Sequence, residues 1–161
     1  MKKNKIIFCI GVPASGKSTW SKDFVRNNQN YVRVCRDDYR YMFKDMGWFD
    51  DEIRNRLESL ITKNINRDIF NLTTLGFNII IDETNLDTKR LKSWLKAFND
   101  YSFEDEYDYQ FKIFNISFEE ALERDYKRER SVGREVIKKM YDKYDFLINN
   151  LNFEEYGEVL N

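Results

Sequence analysis

A glycine-containing stretch near the start of the chain constrains the fold more than any other feature. Residues 11–18 read Gly-Val-Pro-Ala-Ser-Gly-Lys-Ser, which fits the P-loop pattern Gly-x-x-x-x-Gly-Lys-Ser. An apolar run over residues 6–10 precedes the loop, and a segment of helical periodicity follows it. A strand that is apolar at every position is typical of a parallel sheet covered on both faces. The motif and its context therefore predict an α/β fold with a parallel sheet.

The residue types of this loop suit a row of phosphate groups. Gly11 and Gly16 allow backbone amides to turn inward, and a helix beginning near Gly16 adds unpaired N–H groups and the positive end of its dipole. Lys17 supplies a charge for the β- and γ-phosphates, and Ser18 supplies a hydroxyl for Mg²⁺. The alternative is a strand-to-helix turn that carries Lys-Ser by chance. The predicted loop contacts to ATP are Gly11, Ala14, Ser15, Gly16, Lys17, Ser18 and Thr19.

The rest of the chain alternates short β-branched or aromatic runs with amphipathic segments, as a parallel α/β sheet requires. The predicted strands are residues 5–10, 31–35, 78–82 and 109–116. Apolar residues at helical spacing predict core-facing stripes, namely Ile53, Leu57, Leu60, Ile61, Ile65 and Leu72, then Leu91, Trp94, Leu95 and Phe98, then Val136, Ile137, Met140, Tyr144, Leu147 and Ile148. A length of 161 residues fits one domain spanning residues 1–161.

Composition excludes several classes of protein. Hydrophobic residues at 42% and aromatic residues at 16% exclude a disordered chain. The absence of histidine disfavours zinc sites and Ser-His or Cys-His nucleophiles. A net charge of −1 disfavours broad coating of nucleic acid, so any polyanion must meet a local basic patch. Because the longest apolar run is far too short to span a bilayer, we predict a cytoplasmic protein without a membrane partner.

The second predicted strand leads into Arg36-Asp-Asp-Tyr-Arg40. In small P-loop kinases, a carboxylate just beyond the second strand faces the γ-phosphate and can accept a hydroxyl proton. An arginine one turn later can hold a phosphate of the acceptor. The alternative for Asp37 or Asp38 is an N-cap of the following helix. The sequence lacks an Asn-Lys-x-Asp motif, which disfavours a GTPase switch.

The third predicted strand ends in Asp82-Glu83-Thr84-Asn85, an acidic pair of Walker-B type. Such a group holds Mg²⁺ directly or through water, or orients the basic residues around it. The alternative is a cap for the helix that begins near Asp87. Both roles stay open for Asp82, and the functional role is favoured for Glu83.

A basic segment over residues 124–139 carries seven Lys/Arg and three acidic residues. Its Arg124-x-x-x-Arg128 spacing places two guanidinium groups on one face of a helix. With the glycine-containing loop that follows, residues 124–135 look like a lid that closes over ATP. The alternative is an ordinary solvated face.

Four features together resemble the kinase domain of the bacteriophage-type polynucleotide kinase/phosphatase family. They are residues 11–20, the Arg-Asp-Asp-Tyr-Arg run, Thr84-Asn-Leu and the Arg124…Arg128 pair. The resemblance reaches about residue 144. It implies a three-layer α/β P-loop kinase fold with a parallel sheet and a helical lid. It also implies transfer of the ATP γ-phosphate to the 5′-hydroxyl end of DNA or RNA, with ATP and Mg²⁺ as cofactors.

The resemblance also assigns roles to individual residues. The implied catalytic residues are Lys17, Asp37, which acts as general base, and Arg128, which contacts the donor phosphates. Arg124 and Arg128 join the loop in ATP binding, and Ser18 and Asp82 form the implied metal site. The implied substrate-binding residues are Asp38, Arg40, Glu83 and Asn85.

Some features depart from the family pattern, and some questions stay open. The family has Asp at the position of Glu83 and Gly at that of Ala14. No Asp-x-Asp-Gly motif occurs, so phosphatase activity is not expected. The alternative functions are a kinase for another hydroxyl (a hydroxymethylated base in DNA, a nucleoside or a small metabolite) and a non-kinase, ATP-dependent binding module. The sequence leaves open whether the protein forms a homo-oligomer, and the expected location is the host cytoplasm if the chain is phage-encoded.

Overall fold

The strands that the structure describes form one parallel sheet in the order β2-β3-β1-β4-β5. The computed structural model describes residues 3–43, 47, 49–101 and 107–160. The strands are β1 (Asn4–Ile10), β2 (Tyr31–Val34), β3 (Asn78–Ile81), β4 (Tyr107–Ile113) and β5 (Glu158–Leu160). The helices are α1 (Lys17–Asn27), α2 (Arg36–Tyr41), α3 (Asp51–Thr74), α4 (Thr88–Tyr101), α5 (Phe118–Tyr126) and α6 (Arg134–Asn150), with a 3₁₀ turn at Phe153–Glu155.

Strand β1 lies at the centre of the sheet, paired with β3 on one side and β4 on the other. Its side chains alternate between the two faces, as the two-residue period of a strand requires. Ile6, Phe8 and Ile10 pack into the core built by α3, α4 and α6. Ile7 and Cys9 pack on the opposite face, against a cluster that includes α1 residues. The predicted three-layer fold with a parallel sheet is confirmed.

The predicted helical stripes are confirmed in part. All four stripe residues of α4 are buried. On α3, Ile53 and Leu60 are exposed, so their assignment to the core is wrong. The buried residues of α3 follow every fourth position instead, at Ile61, Ile65, Ile69 and Thr73. Val136 on α6 is likewise exposed, and it lines the cleft described below.

The carboxyl ends of β1, β2 and β3 lie at one edge of the sheet, because the strands are parallel neighbours. The segments after these three strands hold residues 11–18, 36–40 and 82–85. In open α/β sheets, ligands bind at the carboxyl ends of the strands. The topology therefore brings the three sequence motifs to one place. In the described part of the chain, no helix is both long enough and apolar enough to cross a membrane.

Candidate active site

A cleft of about 830 Å³ opens at the carboxyl ends of β1, β2 and β3. Thirteen residues predicted for the site line it: Ala14, Ser15, Gly16, Lys17, Ser18, Thr19, Asp37, Arg40, Asp82, Glu83, Asn85, Arg124 and Arg128. Two others, Gly11 and Asp38, do not line it. The cleft also takes in Arg36 and Arg90, which the sequence analysis did not place in the site.

The loop between β1 and α1 has the backbone that a phosphate cradle needs. Ala14 and Gly16 have φ angles of 63° and 97°, in the left-handed region. A Cβ atom on Gly11 would lie 2.8 Å from the Ser15 hydroxyl and 3.1 Å from the Phe114 carbonyl oxygen, so the position has no room for a side chain. Helix α1 begins at Lys17, and no side chain caps its start. Its first N–H groups are therefore suited to bind an anion.

Lys17 is almost fully buried, with 8% of its surface exposed. Its ammonium group donates to the Val12 carbonyl oxygen at 2.6 Å and to the Ser15 hydroxyl at 3.1 Å. Burial lowers the pKa of Lys17 to about 8 from an ordinary value of 10.5. The Lys17 ammonium group therefore bonds to oxygens of its own loop, and the oxygens of a bound phosphate could replace them as acceptors.

Asp82 and Ser18 provide oxygen ligands of the kind that Mg²⁺ prefers. Asp82 is 3% exposed, and its Oδ2 accepts from the Ser21 hydroxyl at 2.9 Å and from Arg33 Nε at 2.7 Å. Its Oδ1 is buried and has no hydrogen-bond partner among the described residues. Ser18 lies exposed in the first turn of α1. The unpartnered carboxylate oxygen fits a Mg²⁺ ion that keeps most of its shell as water and substrate phosphate.

Asp37 lies in the first turn of α2, at the mouth of the cleft. The N-cap of this helix is Cys35, which makes no side-chain capping bond, so neither Asp37 nor Asp38 caps the helix. The Asp37 side chain is 62% exposed, and its Oδ1 accepts from Arg40 Nη1 at 2.8 Å. Asp38 instead accepts from Arg33 Nη1 at 2.6 Å. Of the two carboxylates, only that of Asp37 lines the cleft.

Arg40 is held from two sides. Its Nε and Nη2 donate to the two oxygens of Glu58 on α3 at 2.7 and 3.0 Å, and its Nη1 donates to Asp37. Burial alone would lower the pKa of Arg40, but these hydrogen bonds raise it above its ordinary value. A guanidinium has five N–H donors, and the three bonds leave two of them for a ligand. Arg40 is therefore both fixed in place and able to bind a phosphate.

Glu83 belongs to an ionic network that links α2, α3 and α4 beside Arg40. Arg90 on α4 lies 3.1 Å from Glu83, and Arg36 Nε lies 3.6 Å from it. Arg36 also donates to Glu58 and to the Thr62 hydroxyl, both at 3.0 Å. The network contains Arg36, Arg40, Arg90, Glu58 and Glu83. With Asp37, which accepts from Arg40, the three arginines meet three carboxylates, so it is the N–H donors left over by these pairs that suit this end of the cleft to an anionic group.

Asn85 has a structural role at the base of the cleft. It adopts a φ of 50°, and its amide nitrogen donates to the Cys9 and Ile81 carbonyl oxygens at 2.8 and 3.2 Å. That nitrogen thus ties β1 to β3 and is already occupied. The cap of α4 is Asp87, whose carboxylate accepts from the Arg90 amide at 3.0 Å. The capping alternative for Asp82 and Glu83 is therefore wrong.

The lid segment differs from its prediction in one respect. Helix α5 ends at Tyr126, so Arg124 lies in its last turn and Arg128 lies beyond it. The expectation that both guanidinium groups share one helical face is wrong, although both line the cleft. Arg124 contacts Glu120 at 2.5 Å, and Arg128 contacts Asp125 at 3.5 Å.

A buried carboxylate, not helical continuity, shapes the lid loop. Asp125 is 2% exposed and accepts from the Ser131 hydroxyl at 2.6 Å, and from the Val132 and Gly133 amides at 3.0 Å each. Burial alone would raise the pKa of Asp125, but these hydrogen bonds lower it below its ordinary value. The loop between α5 and α6 is therefore folded around one anionic side chain, with Arg128 next to it.

Known proteins resemble this chain over most of its length. A protein of Autographa californica nuclear polyhedrosis virus, named putative bifunctional polynucleotide kinase/RNA ligase, is 30% identical over an alignment of 166 residues that covers 96% of this chain and 22% of that protein. A chain of the Pnkp1/Rnl/Hen1 RNA repair complex is 27% identical with a TM-score of 0.81, and the match covers 95% of this chain and 48% of that one. The predicted resemblance to polynucleotide kinases is confirmed.

A third match bears on the fold alone. Deoxyadenosine kinase from M. mycoides, solved with bound dATP, is 17% identical with a TM-score of 0.58 and coverage of 97% of this chain. The present chain spans about a fifth of the viral relative and about half of the RNA-repair chain. Residues 6–147 match the AAA domain family, and this range includes the P-loop, the acidic residues after β2 and β3, and the lid segment at residues 124–135. The chain therefore belongs to the AAA domain family.

Proposed function

We propose that this chain is an ATP-dependent polynucleotide 5′-hydroxyl kinase, which transfers the γ-phosphoryl group of ATP to the 5′ end of DNA or RNA. One observation carries the proposal: Asp37 and Arg40, one helical turn apart, line the same cleft as the P-loop. A nucleotide-dependent switch needs no proton acceptor paired with a phosphate-binding arginine. The similarity to proteins named polynucleotide kinase supports the same conclusion.

On the donor side, the backbone N–H groups of residues 14–19, which line the cleft, would bind the ATP phosphates. Lys17 would leave the Val12 carbonyl and stabilise charge on the β- and γ-phosphate oxygens. Arg124 and Arg128 would neutralise the transferring group from the lid. Ser18 and the unpartnered Oδ1 of Asp82 would hold Mg²⁺, which when bound neutralises phosphate charge.

On the acceptor side, Asp37 would orient the 5′-hydroxyl and take its proton as the oxygen attacks phosphorus. Arg40 would bind the phosphate on the 3′ side of the first nucleotide with the two N–H groups that Glu58 and Asp37 leave. Glu83 is paired with Arg90 and Arg36, which line the cleft, so it would act on the acceptor by orienting them. Asp38 is paired with Arg33 outside the cleft lining, so its effect on the acceptor would be indirect.

A labelled-phosphate transfer panel tests the proposal. The protein receives ATP labelled in the γ-phosphate, with one acceptor per reaction: a 5′-hydroxyl oligonucleotide, the same oligonucleotide with a 5′-phosphate, a nucleoside, an oligonucleotide carrying a hydroxymethylated base, or buffer alone. We expect label on the 5′-hydroxyl oligonucleotide and none on its 5′-phosphorylated copy. Label on the oligonucleotide with the modified base but on neither unmodified oligonucleotide, or label on the nucleoside alone, would favour a kinase for another hydroxyl. Label that reaches only water would favour a binding module.

A further inference from the structure

A nearly buried arginine on β2, Arg33, contacts carboxylates that belong to different sides of the reaction. Its side chain is 11% exposed. Its Nε donates to Asp82 Oδ2 at 2.7 Å and to the Ser21 hydroxyl at 3.1 Å. Its Nη1 donates to Asp38 Oδ2 at 2.6 Å. One planar guanidinium thus spans from the end of β3 to the first turn of α2.

The inner contact fixes the orientation of the proposed metal carboxylate. Asp82 Oδ2 receives both of its hydrogen bonds from Arg33 and Ser21, so the other oxygen, Oδ1, stays without a partner. A carboxylate that is 3% exposed is strongly destabilised unless a charge or hydrogen bonds compensate it. Arg33 provides that compensation on one oxygen only. Its contact therefore selects which oxygen of Asp82 serves the nucleotide side.

The outer contact acts on the helix that carries the proposed general base. Asp38 is the chain neighbour of Asp37, and α2 has only six residues, with a single residue between its start and the end of β2. The Asp38 side chain is 53% exposed, so water would solvate it without Arg33. The pair therefore adds little to stability. What it does provide is a fixed geometry, because a guanidinium fork sets the direction of both of its contacts.

We propose that Arg33 is a positioning residue that couples Asp82, on the nucleotide side, to the start of α2 and hence to Asp37 on the acceptor side. The proposal rests on the proposed function. Loss of the outer contact, between Arg33 and Asp38, is expected to misplace Asp37 without changing ATP–Mg²⁺ binding. Loss of both contacts is expected to affect ATP–Mg²⁺ binding as well.

The first test uses Asp38→Asn, which removes only the exposed charge of the outer pair. Because misplacing a reacting group by about 1 Å can cost about 100-fold in rate, we expect kcat for transfer to fall by about 10- to 100-fold. ATP–Mg²⁺ affinity by calorimetry and the midpoint of thermal unfolding are expected to stay unchanged. Asp38→Glu, which keeps the charge, is expected to recover part of the loss. The matched control is Arg26→Gln, which breaks an exposed pair with Asp23 on α1 and leaves kcat unchanged.

The second test uses Arg33→Lys, which keeps the charge but cannot reach both carboxylates with a fork. Changes around a metal ligand typically cost about 10- to 100-fold in affinity or activity, so we expect about tenfold weaker ATP–Mg²⁺ binding in addition to the loss of kcat. Wild-type kcat in Asp38→Asn would overturn the coupling and leave the proposed function intact. If the wild type phosphorylates no 5′-hydroxyl acceptor, the proposed function fails. The coupling is tested separately by ATP binding, and unchanged ATP–Mg²⁺ affinity in folded Arg33→Lys would overturn it.

Discussion

Lys17 and Asp37 lie on opposite sides of the proposed transfer, and their removal is expected to have different effects. Lys17→Ala removes a preorganised charge at the phosphates, which typically costs about 10²–10³ in rate, and should also weaken ATP–Mg²⁺ binding. Asp37→Ala removes the proton acceptor, at a cost of about 10²–10⁴, and should leave ATP–Mg²⁺ binding close to normal. Single-turnover transfer and calorimetry separate the two. Near-wild-type transfer by Asp37→Ala would remove this residue from the mechanism.

The burial of Lys17 predicts a pH dependence of ATP binding. The pKa of Lys17 is about 8 in the protein without ATP, and phosphate oxygens bound next to the ammonium favour the charged form. Binding above about pH 8 must therefore include uptake of a proton, which lowers affinity by up to about tenfold per pH unit. Calorimetry from pH 7 to 10 measures this. Lys17→Arg, whose guanidinium stays charged over the whole range, should give a flatter profile. Equal wild-type affinity at pH 7 and pH 10 would contradict the account.

At the scale of elements, the lid depends on the buried carboxylate of Asp125. Asp125→Ala leaves the Ser131 hydroxyl and the Val132 and Gly133 amides without their acceptor, and a hydrogen bond to a charged group contributes about 1.5–3 kcal/mol. We expect a disordered lid loop and a raised KM for ATP, with a smaller change in the KM for the acceptor. The control is Glu123→Gln on the same helix, which loses only an exposed pair with Lys127. If Asp125→Ala keeps the wild-type KM for ATP, the lid loop has no part in nucleotide binding.

Four of the five strands of the sheet could be predicted, but β5, at one edge, could not. Strands β1 to β4 were predicted from apolar runs of β-branched and aromatic residues. Strand β5 was not, because Glu158–Leu160 is three residues long in an acidic segment and has no detectable period. The end of α5 before Arg128 was missed because the loop is shaped by Asp125 through contacts that depend on the fold.

At the scale of the whole molecule, charge limits the size of the acceptor contact. The net charge is −1, and the arginines that line the cleft are Arg36, Arg40, Arg90, Arg124 and Arg128. We therefore expect contact with only two or three acceptor phosphates. For a single strand, each phosphate contributes about −0.7 to the slope of log affinity against log salt, so the predicted slope is about −1.4 to −2.1. A titration of oligonucleotide binding against salt measures it. A slope steeper than about −4 would indicate a long binding track elsewhere.

The ionic networks of the cleft are the part of the site that no sequence pattern indicated. Arg33 meets Asp82 across 49 positions of sequence, and Arg40 meets Glu58 across 18. Such pairs follow from strand order and helix packing, since local motifs hold no information about them. Three motifs, at residues 11–18, 36–40 and 82–85, were predictable because each follows a strand. Single-domain organisation and the possibility of a homo-oligomer stay predictions.

The most direct test of the account asks whether Arg40 reads the phosphate that distinguishes a polynucleotide end from a free nucleoside. A charge-assisted pair is worth about 1.5–3 kcal/mol, which is about one to two decades in transfer efficiency. A 3′-mononucleotide should exceed the matching nucleoside in kcat/KM by that factor with the wild type, and the ratio should collapse in Arg40→Ala. Arg40→Lys should restore only part of it. Arg56→Gln, at an exposed pair with Glu52 on α3, should leave the ratio unchanged. If Arg40→Ala impairs both acceptors equally and the ratio persists, Arg40 only orders the cleft, and the proposal of a polynucleotide acceptor is contradicted.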